Sequence, residues 1–568
     1  MNSRALIRSF LLALVLASCA HSLRPFPLAE PMRVDGDRRP FSPRPADYFS
    51  GFAWDGADQM VFRPVADFFA VDPPGEAINV NAMDEVPDSS WFQNRLGRRT
   101  LTEAEILRAA CSDAPIDPAG PWTISAAKPN GANPGFIIED AEGRNYLLKF
   151  DTVTEQPERA TSADVIGSIL YWAAGYNAPC NRVVFFDESV LTIGEDTTIE
   201  IDGADVPLND GHIAPVFENA LRLEDGRLRA TSSQFLPGRP IGPWRYEGTQ
   251  SDDPNDVVPH EERRELRGGY VLAAWLNHFD SREQNTLAIW HDEDGVNGYV
   301  EHFYIDFGDT LGSIWPIEGI TRRLGHSAYF DAGHVFQDFL TLGLIPRPWN
   351  QVRTDDVSPT FGYFDSYRFD PDSWRPGYAN PAFDRASERD KAWMARIIAE
   401  LRPSDIAAII RQAHFAAPET SENLYRILMQ RRQLILSRYF QKLSPLTRPR
   451  IEEREDGARV CLDDLAVQAG LQASESRPYY SQSWSLEDEN LIAHGPGTMT
   501  RRLPATVCTT FPALDVSDGE ARYAIVDVAG LTSTHDTQSM PARVHLYRRP
   551  DGVHQIVGLE RPDSRRAP

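Results

Sequence analysis

Between residues 122 and 186, strand-like and helix-like patterns of apolar residues follow one another in an order that constrains the fold of this 568-residue chain more than any other feature. Three short runs predict strands over Trp122–Ala127, Gly135–Glu139 and Tyr146–Phe150. Helical spacing of apolar residues follows over Thr161–Ala174, and Arg182–Phe186 predicts another strand. The order strand, strand, strand, helix, strand is the one that a small nucleotide-binding lobe needs.

After a strand-rich middle, the pattern predicts a largely helical unit. Apolar side chains fall on one side of a helix over Glu261–His278. Helical spacing returns over Arg389–Leu401, Asp405–Ala413 and Glu422–Phe440. Beyond a boundary near residue 445, short alternating segments such as Tyr523–Val528 predict an appended β-rich domain, with a turn at residues 550–552.

The first residues predict export and lipidation. Arg4 and Arg8 precede an apolar run over residues 10–16 that is too short to span a bilayer comfortably, which is typical of a signal peptide. The run ends in L-A-S-C, which resembles a bacterial lipobox and predicts a lipidated, palmitate-bearing Cys19. The resemblance to bacterial lipoproteins implies that Ala20, as the second mature residue, directs the protein to the outer membrane of the cell envelope. The alternative is an ordinary signal peptide followed by a chance cysteine.

Residues from Ala20 to about Pro45 are rich in proline and arginine, which predicts a tether. Thr102 and Glu105 form a capping box at the start of a predicted helix over Leu101–Ala110. These patterns divide the chain into four parts. Residues 1–18 are the signal peptide, and residues 19–115 are the tether and an N-terminal extension. A central domain follows, with its two parts at about 116–240 and 241–445, and residues 446–568 form the β-rich domain.

Cysteine usage fits an oxidising compartment. Four cysteines follow Cys19 and permit two disulfides whose pairing the sequence leaves open: Cys111, Cys180, Cys461 and Cys508. None of them has the close spacing of a zinc site.

A formal net charge of -25 disfavours nucleic acid as a partner, because the protein's field repels polyanions. The arginines at 263, 264 and 267 remain a candidate for a local cationic pocket. The acidic run at residues 252–256 and the nearby His260 suggest a metal site at first. They lack EF-hand and H-E-x-x-H spacing, so a hydrogen-bonded loop is the preferred interpretation.

The stretch from Asp280 to Asp306 carries the pattern most typical of chemistry. Asp280 and Asn285 form D-x-x-x-x-N, and Asp306 begins D-F-G after an apolar run. Phosphoryl transfer needs a carboxylate near the attacking hydroxyl, then an amide oxygen and a second carboxylate that hold magnesium. These three residues fit those roles in that order, and a surface loop is the alternative.

Upstream residues predict contacts with phosphate. Lys149 lies on the third predicted strand, where it would pair with phosphates unless it is a solvated edge charge. The turn before that strand contains Lys128, Gly131 and Gly135, whose backbone and charge could approach phosphate oxygens, although a plain hairpin turn explains it equally well.

The lysine needs an acidic partner from the following helix. Asp164 is the best-placed residue, and Glu158 is the second choice. An acid near a helix N-terminus also has a structural explanation, because the helix dipole stabilises negative charge there.

This set of one lysine, two aspartates and one asparagine resembles the atypical branch of the protein-kinase-like superfamily, and is similar to HipA-type serine kinases and phosphoinositide kinases. The resemblance covers roughly Trp122 to Leu443. It implies an α+β chain with a bilobal protein-kinase-like fold, in which a β-rich N-lobe precedes a helical C-lobe and the C-terminal β-rich domain is appended. It also implies Mg²⁺ and ATP or another nucleotide as cofactors.

The sequence leaves three functions open. The first is a phosphotransferase that acts on a hydroxyl of a protein or small polyol, with Asp280 as base. The second is a catalytically silent binding or scaffolding lipoprotein, because the periplasm is not expected to hold appreciable ATP. The third is an exported hydrolase with a carboxylate-held metal, although no G-x-S-x-G motif supports it.

Overall fold

The computed structural model describes residues 24–568 apart from 41, 49–50, 70–74, 113–114, 129–132, 152–156, 202–203, 313–317, 352–357, 359, 456, 474–476, 488–489, 503–504, 531–538 and 564–566. The predicted signal peptide, Cys19 and Gly131 lie outside the described residues. The chain has a mixed α+β fold with several sheets. None of the described helices is both long and apolar enough to cross a bilayer.

The N-terminal part contributes short elements to the fold. They are β1 (Ser42–Pro43), α1 (Phe52–Ala57), a π-helical turn (Asp58–Phe62), α2 (Arg63–Phe69) and α3 (Glu103–Arg108). The predicted capping box at Thr102 and Glu105 is present at the start of α3. This helix is shorter at both ends than the prediction over Leu101–Ala110.

A six-stranded sheet follows. Its chain segment contains β2 (Trp122–Ala127), β3 (Gly135–Glu139), β4 (Asn145–Phe150), α4 (Arg159–Ala174), β5 (Asn181–Phe186), β6 (Leu191–Ile193), β7 (Thr198–Ile201), β8 (Ala204–Pro207), α5 (Asp210–Asn219) and β9 (Leu228–Gln234). The strand order is β5-β9-β4-β3-β2-β6, and β7 pairs with β8 separately. The four predicted strands agree within one residue. Helix α4 ends at Ala174, and Gly175 caps it with a φ of 125° that suits glycine.

The next part is mostly helical. It contains β10 (Arg239–Gly242), α6 (Arg264–Leu276), β11 (Thr286–Asp292), β12 (Asn297–Tyr304), α7 (Glu318–Thr321), α8 (Ala332–Thr341), α9 (Pro381–Asp384), α10 (Glu388–Glu400), α11 (Pro403–Arg411) and α12 (Pro418–Tyr439). Trp275 of α6, Trp393 of α10 and Tyr439 of α12 are buried in one large core, which also receives α4. The six-stranded sheet has a core of its own.

The C-terminal part is β-rich, as predicted. It contains β13 (Leu446–Glu452), β14 (Arg459–Asp464), α13 (Leu465–Gln468), β15 (Tyr479–Glu487), β16 (Asn490–His494), β17 (Met499–Arg502), β18 (Thr506–Thr510), β19 (Arg522–Gly530), β20 (Ala542–Arg548) and β21 (His554–Glu560). These strands form two sheets, β13-β14-β18-β17 and β16-β15-β19-β20-β21. Alternating valines and leucines from both sheets, such as Val460 and Val526, share one core.

The predicted tether is wrong for its described residues, because residues 24–45 pack against distant parts of the chain. The hydroxyl of Tyr547 donates to the carbonyl of Phe26 at 3.0 Å. The carboxylate of Asp37 accepts hydrogen bonds from the backbone and hydroxyl of Ser90. Strand β1 pairs with β12. A proline-rich composition signals little local structure, but tertiary contacts fix this segment.

The arginine cluster does not form an open cationic pocket. Arg263, Arg264 and Arg267 are buried. Arg264 Nε lies 3.1 Å from Asp390, and Arg263 Nη2 lies 3.1 Å from Asp256. The cluster is therefore an internal ion-pair network that joins α6 to its surroundings.

The structure pairs the cysteines that the sequence left open. Cys111, just after α3, is bonded to Cys180, just before β5. Cys461 of β14 is bonded to Cys508 of β18, which lies directly opposite it in the antiparallel pair. Each disulfide thus joins segments that are already neighbours in the fold.

Candidate active site

The β11–β12 hairpin brings two of the predicted site residues to one place. Thr286 pairs with Tyr304 at the open end of this hairpin. Asn285 immediately precedes that pair and Asp306 follows it by two residues. The backbone N–H of Ile305 donates to the carbonyl of Asn285 at 3.0 Å. Residues 21 positions apart in the chain therefore meet at the same end of the hairpin.

Asp280 and Asn285 are joined directly. The amide nitrogen of Asn285 donates to the Asp280 carboxylate at 2.8 Å and to the Asp280 carbonyl at 2.7 Å. This arrangement turns the amide oxygen of Asn285 away from Asp280. Burial of Asp280, together with the nearby carboxylate of Asp309, raises the Asp280 pKa from 3.8 to about 7. Such a group can accept a proton near neutral pH.

Lys149 connects the sheet to the end of the hairpin. It lies on β4, which is flanked by β3 and β9, so the edge-strand alternative is wrong. Its ammonium lies 3.0 Å from the Asp164 carboxylate and 2.8 Å from the Asp306 carboxylate. Although burial disfavours the charged form, these two carboxylates raise the pKa of Lys149. Glu158, the second choice of partner, instead accepts from the backbone of Ala416.

The two carboxylates on Lys149 have different environments. The Asp164 side chain is 2% exposed, whereas that of Asp306 is 45% exposed. Burial raises the pKa of Asp164, while the Lys149 ammonium lowers the pKa of Asp306 to about 2. Asp306 thus presents an ionised, accessible carboxylate beside the buried Lys149–Asp164 pair.

Helix α4 also fixes the backbone that carries Asp306. The N–H of Phe307 donates to Asp164 Oδ1 at 2.9 Å. The Phe307 ring is buried against Tyr171, with ring centroids 4.9 Å apart. A Cβ at Gly167 would lie 2.6 Å from the Phe307 Cβ, so glycine is required there for this close approach. Asp306 itself has a φ of 56°, which few non-glycine residues adopt.

The turn between β2 and β3 lies beside the same ammonium. Gly135 pairs directly with Lys149 across β3 and β4. The ammonium of Lys128 donates to the carbonyl of Asn133 at 2.9 Å. Burial and the neighbouring Lys149 lower the pKa of Lys128. Two lysines therefore adjoin the accessible carboxylate of Asp306, and Gly131, the third residue predicted for this turn, lies outside the described residues.

Polar residues that the sequence pattern did not single out surround Asp280. Arg282 Nε lies 3.4 Å from Asp280 Oδ1, and its guanidinium lies over the ring of Tyr378 at 5.3 Å. Asp309 lies 3.6 Å from Arg159 Nη1. Their positions in the sequence could have identified two of them, because Arg282 lies inside D-x-x-x-x-N and Asp309 directly follows D-F-G. Only the fold could bring Tyr378 to the same place.

The other metal candidates have structural roles. Asp256 binds His260 Nε2 at 2.7 Å, and the other ring nitrogen of His260 contacts a backbone carbonyl, as the hydrogen-bonded loop interpretation requires. Glu452 lies near Cys461 and Cys508. Those cysteines form a disulfide and have no thiolate for a metal.

Comparisons with known proteins provide no relative of this chain. No family model matches it, and neither the curated proteins nor the solved structures contain a match.

Proposed function

We propose that this chain is an exported, lipid-anchored phosphotransferase with a bilobal kinase-like fold. The six-stranded sheet would form the N-lobe, the helices α6–α12 the C-lobe, and the β-rich part an appended domain. The separate cores of the sheet and of the helical part support this division. The proposal depends most on one observation: Lys149 of the sheet contacts Asp306, at the hairpin end that also holds Asn285.

The donor set suits magnesium and a nucleotide. Asn285 offers an amide oxygen and Asp306 an ionised carboxylate, which are hard oxygen ligands that Mg²⁺ prefers. Bound Mg²⁺ and nucleotide would supply a transferable phosphoryl group with its charge neutralised. Lys149 and Lys128 would bind phosphate oxygens, and Gly135 lets the backbone approach closely. Asp164 would keep Lys149 charged and in position.

Asp280 would act on the acceptor. Its pKa of about 7 allows the carboxylate to take the proton of an attacking hydroxyl at neutral pH. Asn285 holds this carboxylate through its amide nitrogen, and Arg282 lies on its other oxygen. The acceptor hydroxyl would belong to a protein or a small molecule.

A second candidate function is a catalytically silent binding or scaffolding module of the cell envelope. The ion pair between Lys149 Nζ and Asp306 Oδ1 favours it, because magnesium would have to compete with the lysine for that oxygen. In this case nucleotide would bind without turnover, or would not bind.

Thermal unfolding with magnesium and several nucleotides tests the proposal. The chain from residue 20 onward should melt at a higher temperature with ligand present, because binding to the folded state stabilises it by mass action. Asp306→Asn should abolish this shift, whereas Asp205→Asn, on the exposed strand β8, should preserve it. Transfer of labelled phosphate would then separate an enzyme from a binding module, and an absence of any ligand-induced shift would contradict the proposal.

The lipid anchor needs a separate test. Labelled palmitate should enter the chain in a bacterial host, and Cys19→Ser should prevent this. Fractionation of the same cells should place the labelled protein in the outer membrane. A labelled Cys19→Ser variant would contradict lipidation at this residue.

A further inference from the structure

Helix α8 has its amphipathic faces reversed relative to most surface helices. Eight large apolar side chains lie exposed between residues 330 and 345: Phe330, Val335, Phe336, Phe339, Leu340, Leu342, Leu344 and Ile345. Phe339 is 77% exposed and Leu342 is 86% exposed. A surface helix normally turns such residues toward the core. This helix contributes no buried residue of its own.

The polar side of α8 faces the protein instead. His334, Gln337 and Thr341 recur at helical spacing and are partly buried. His334 Nδ1 lies 3.2 Å from the hydroxyl of Ser327. The buried guanidinium of Arg347 donates to the His334 carbonyl and to the Gln337 and Asp338 side chains. Hydrogen bonds therefore hold the helix in an orientation that leaves its apolar side outward.

We propose that the outward face of residues 330–345 docks onto a lipid bilayer. Interfacial amphipathic helices lie in the plane of the membrane surface with their apolar side buried about 5–10 Å. The exposed face consists of phenylalanine, leucine, isoleucine and valine. It lacks the tyrosine, tryptophan and arginine that dominate protein-binding hot spots.

The N-terminal segment supports a membrane as the partner. Phe26 is fixed on the C-terminal sheet by Tyr547. The predicted lipid anchor at Cys19 lies only seven positions before Phe26. Seven extended residues span at most about 25 Å, so the anchor would keep the folded protein next to the bilayer. An exposed apolar helix would then meet lipid at high effective concentration.

The docked face adjoins the candidate active site. Tyr329, one residue before the exposed stretch, packs on Phe279 and Tyr378, with ring centroids 6.4 and 5.0 Å away. A second exposed apolar group on α1 and the π-helical turn includes Trp54 and Phe62. That segment is bonded to the loop that follows Asp280. The amide of Gln59 donates to the Glu283 carboxylate, and the amide of Gln284 donates to the Asp55 carboxylate. Docking of α8 would therefore hold the loop that carries Asp280 close to the membrane.

Flotation with vesicles of phosphatidylethanolamine and phosphatidylglycerol at a 3:1 ratio tests this proposal. The chain from residue 20 onward, which lacks Cys19 and therefore the predicted lipid anchor, should float with the vesicles. Because the protein is acidic, binding should come from apolar burial and persist at 0.5 M NaCl. The double substitution Phe339→Glu, Leu340→Glu should lower the partition coefficient at least tenfold.

Two controls keep the result specific. Val553→Glu changes an exposed valine in a turn of the C-terminal domain and should leave binding unchanged. The double variant should melt at the wild-type temperature, because its altered side chains are already exposed. In a Phe336→Cys variant labelled with a fluorescent thiol probe, brominated lipid should quench the probe, because the four other cysteines of this chain are disulfide-bonded. Failure of the wild-type chain to float, equal flotation of the double variant, or self-association through this face without vesicle binding would each overturn the proposal.

Discussion

The ammonium of Lys149 lies 3.0 Å from the carboxylate of Asp164, and both side chains are almost fully buried. The pair joins the centre of the six-stranded sheet to helix α4. A buried ion pair contributes little net stability, but loss of one partner leaves an uncompensated charge in a medium of low polarity. The effect of this ion pair on the free energy of unfolding should therefore be largest when only one of the two residues is substituted.

Lys149→Met should lower the free energy of unfolding by about 3–5 kcal/mol, because Asp164 would remain buried without a counter-charge. The double variant Lys149→Met, Asp164→Leu should recover much of that loss. Urea denaturation measures both values. Lys442→Met, at an exposed lysine, provides the control and should unfold like the wild type. An additive double variant would show that the two residues are not coupled.

The carboxyl of Asp280 should make folding less favourable as the pH rises. Burial first, and Asp309 second, raise its folded-state pKa to about 7 from 3.8. Between these values the folded state binds more protons than the unfolded state, so stability decreases with increasing pH. Asp280→Asn should therefore gain about 3 kcal/mol relative to the wild type between pH 5 and pH 8. Urea denaturation at both pH values checks this difference.

Burial also raises the pKa of Glu400 to about 7. Because Asp280→Asn retains Glu400, the difference in stability between the variant and the wild type reports the titration of Asp280 alone. If Asp280 accepts a proton during catalysis, turnover should increase with pH through about 7 in the wild type and be lost in Asp280→Asn. A pH-independent stability difference between the two proteins would contradict the raised pKa.

Gly167→Ala should impair ligand binding through Phe307. The added methyl group would lie 2.6 Å from the Phe307 Cβ, and the displacement would carry Asp306 away from Lys149. We expect loss of the magnesium- and nucleotide-dependent shift in melting temperature. Gly319→Ala on α7 is the matched control, because a Cβ there meets open space. A normal ligand-induced shift in Gly167→Ala would show that Phe307 does not position Asp306.

Asp84 should be a stability centre of the whole chain. Its carboxylate binds Arg264 of α6, Arg396 of α10 and Arg561 just after β21. These arginines hold the Asp84 pKa well below its usual range, despite burial. Asp84→Ala should cost about 3–5 kcal/mol of unfolding free energy, because it removes the carboxylate that three buried guanidiniums share and leaves Arg264 with Asp390 alone. Asp518→Ala, in an exposed ion pair with Arg522, should leave the unfolding transition unchanged.

The elements with a strong local signal could be predicted from the sequence. Strands β2 to β5 and helix α4 have short-range periodicity and clear turn residues such as Gly175, so their limits agree closely with the prediction. The β-rich C-terminal part was predictable for the same reason. The tether was not, because Phe26 and Asp37 are held by residues far away in the chain. The burial of Arg263, Arg264 and Arg267 was not predictable either, because it depends on acidic partners elsewhere in the chain, such as Asp390.

The candidate site divides in the same way. The sequence determined which chemical groups are present, because the spacing of Asp280, Asn285 and Asp306 and the strand position of Lys149 are local features. The position of Asp164 within the predicted helix already favoured it over Glu158 as the partner of Lys149, and the structure shows that contact. Tertiary structure decided that Lys149 also meets Asp306. It also decided that the apolar side of α8 faces outward. Partner choice and burial depend on packing between elements distant in sequence, and periodicity within one element contains no information about that packing.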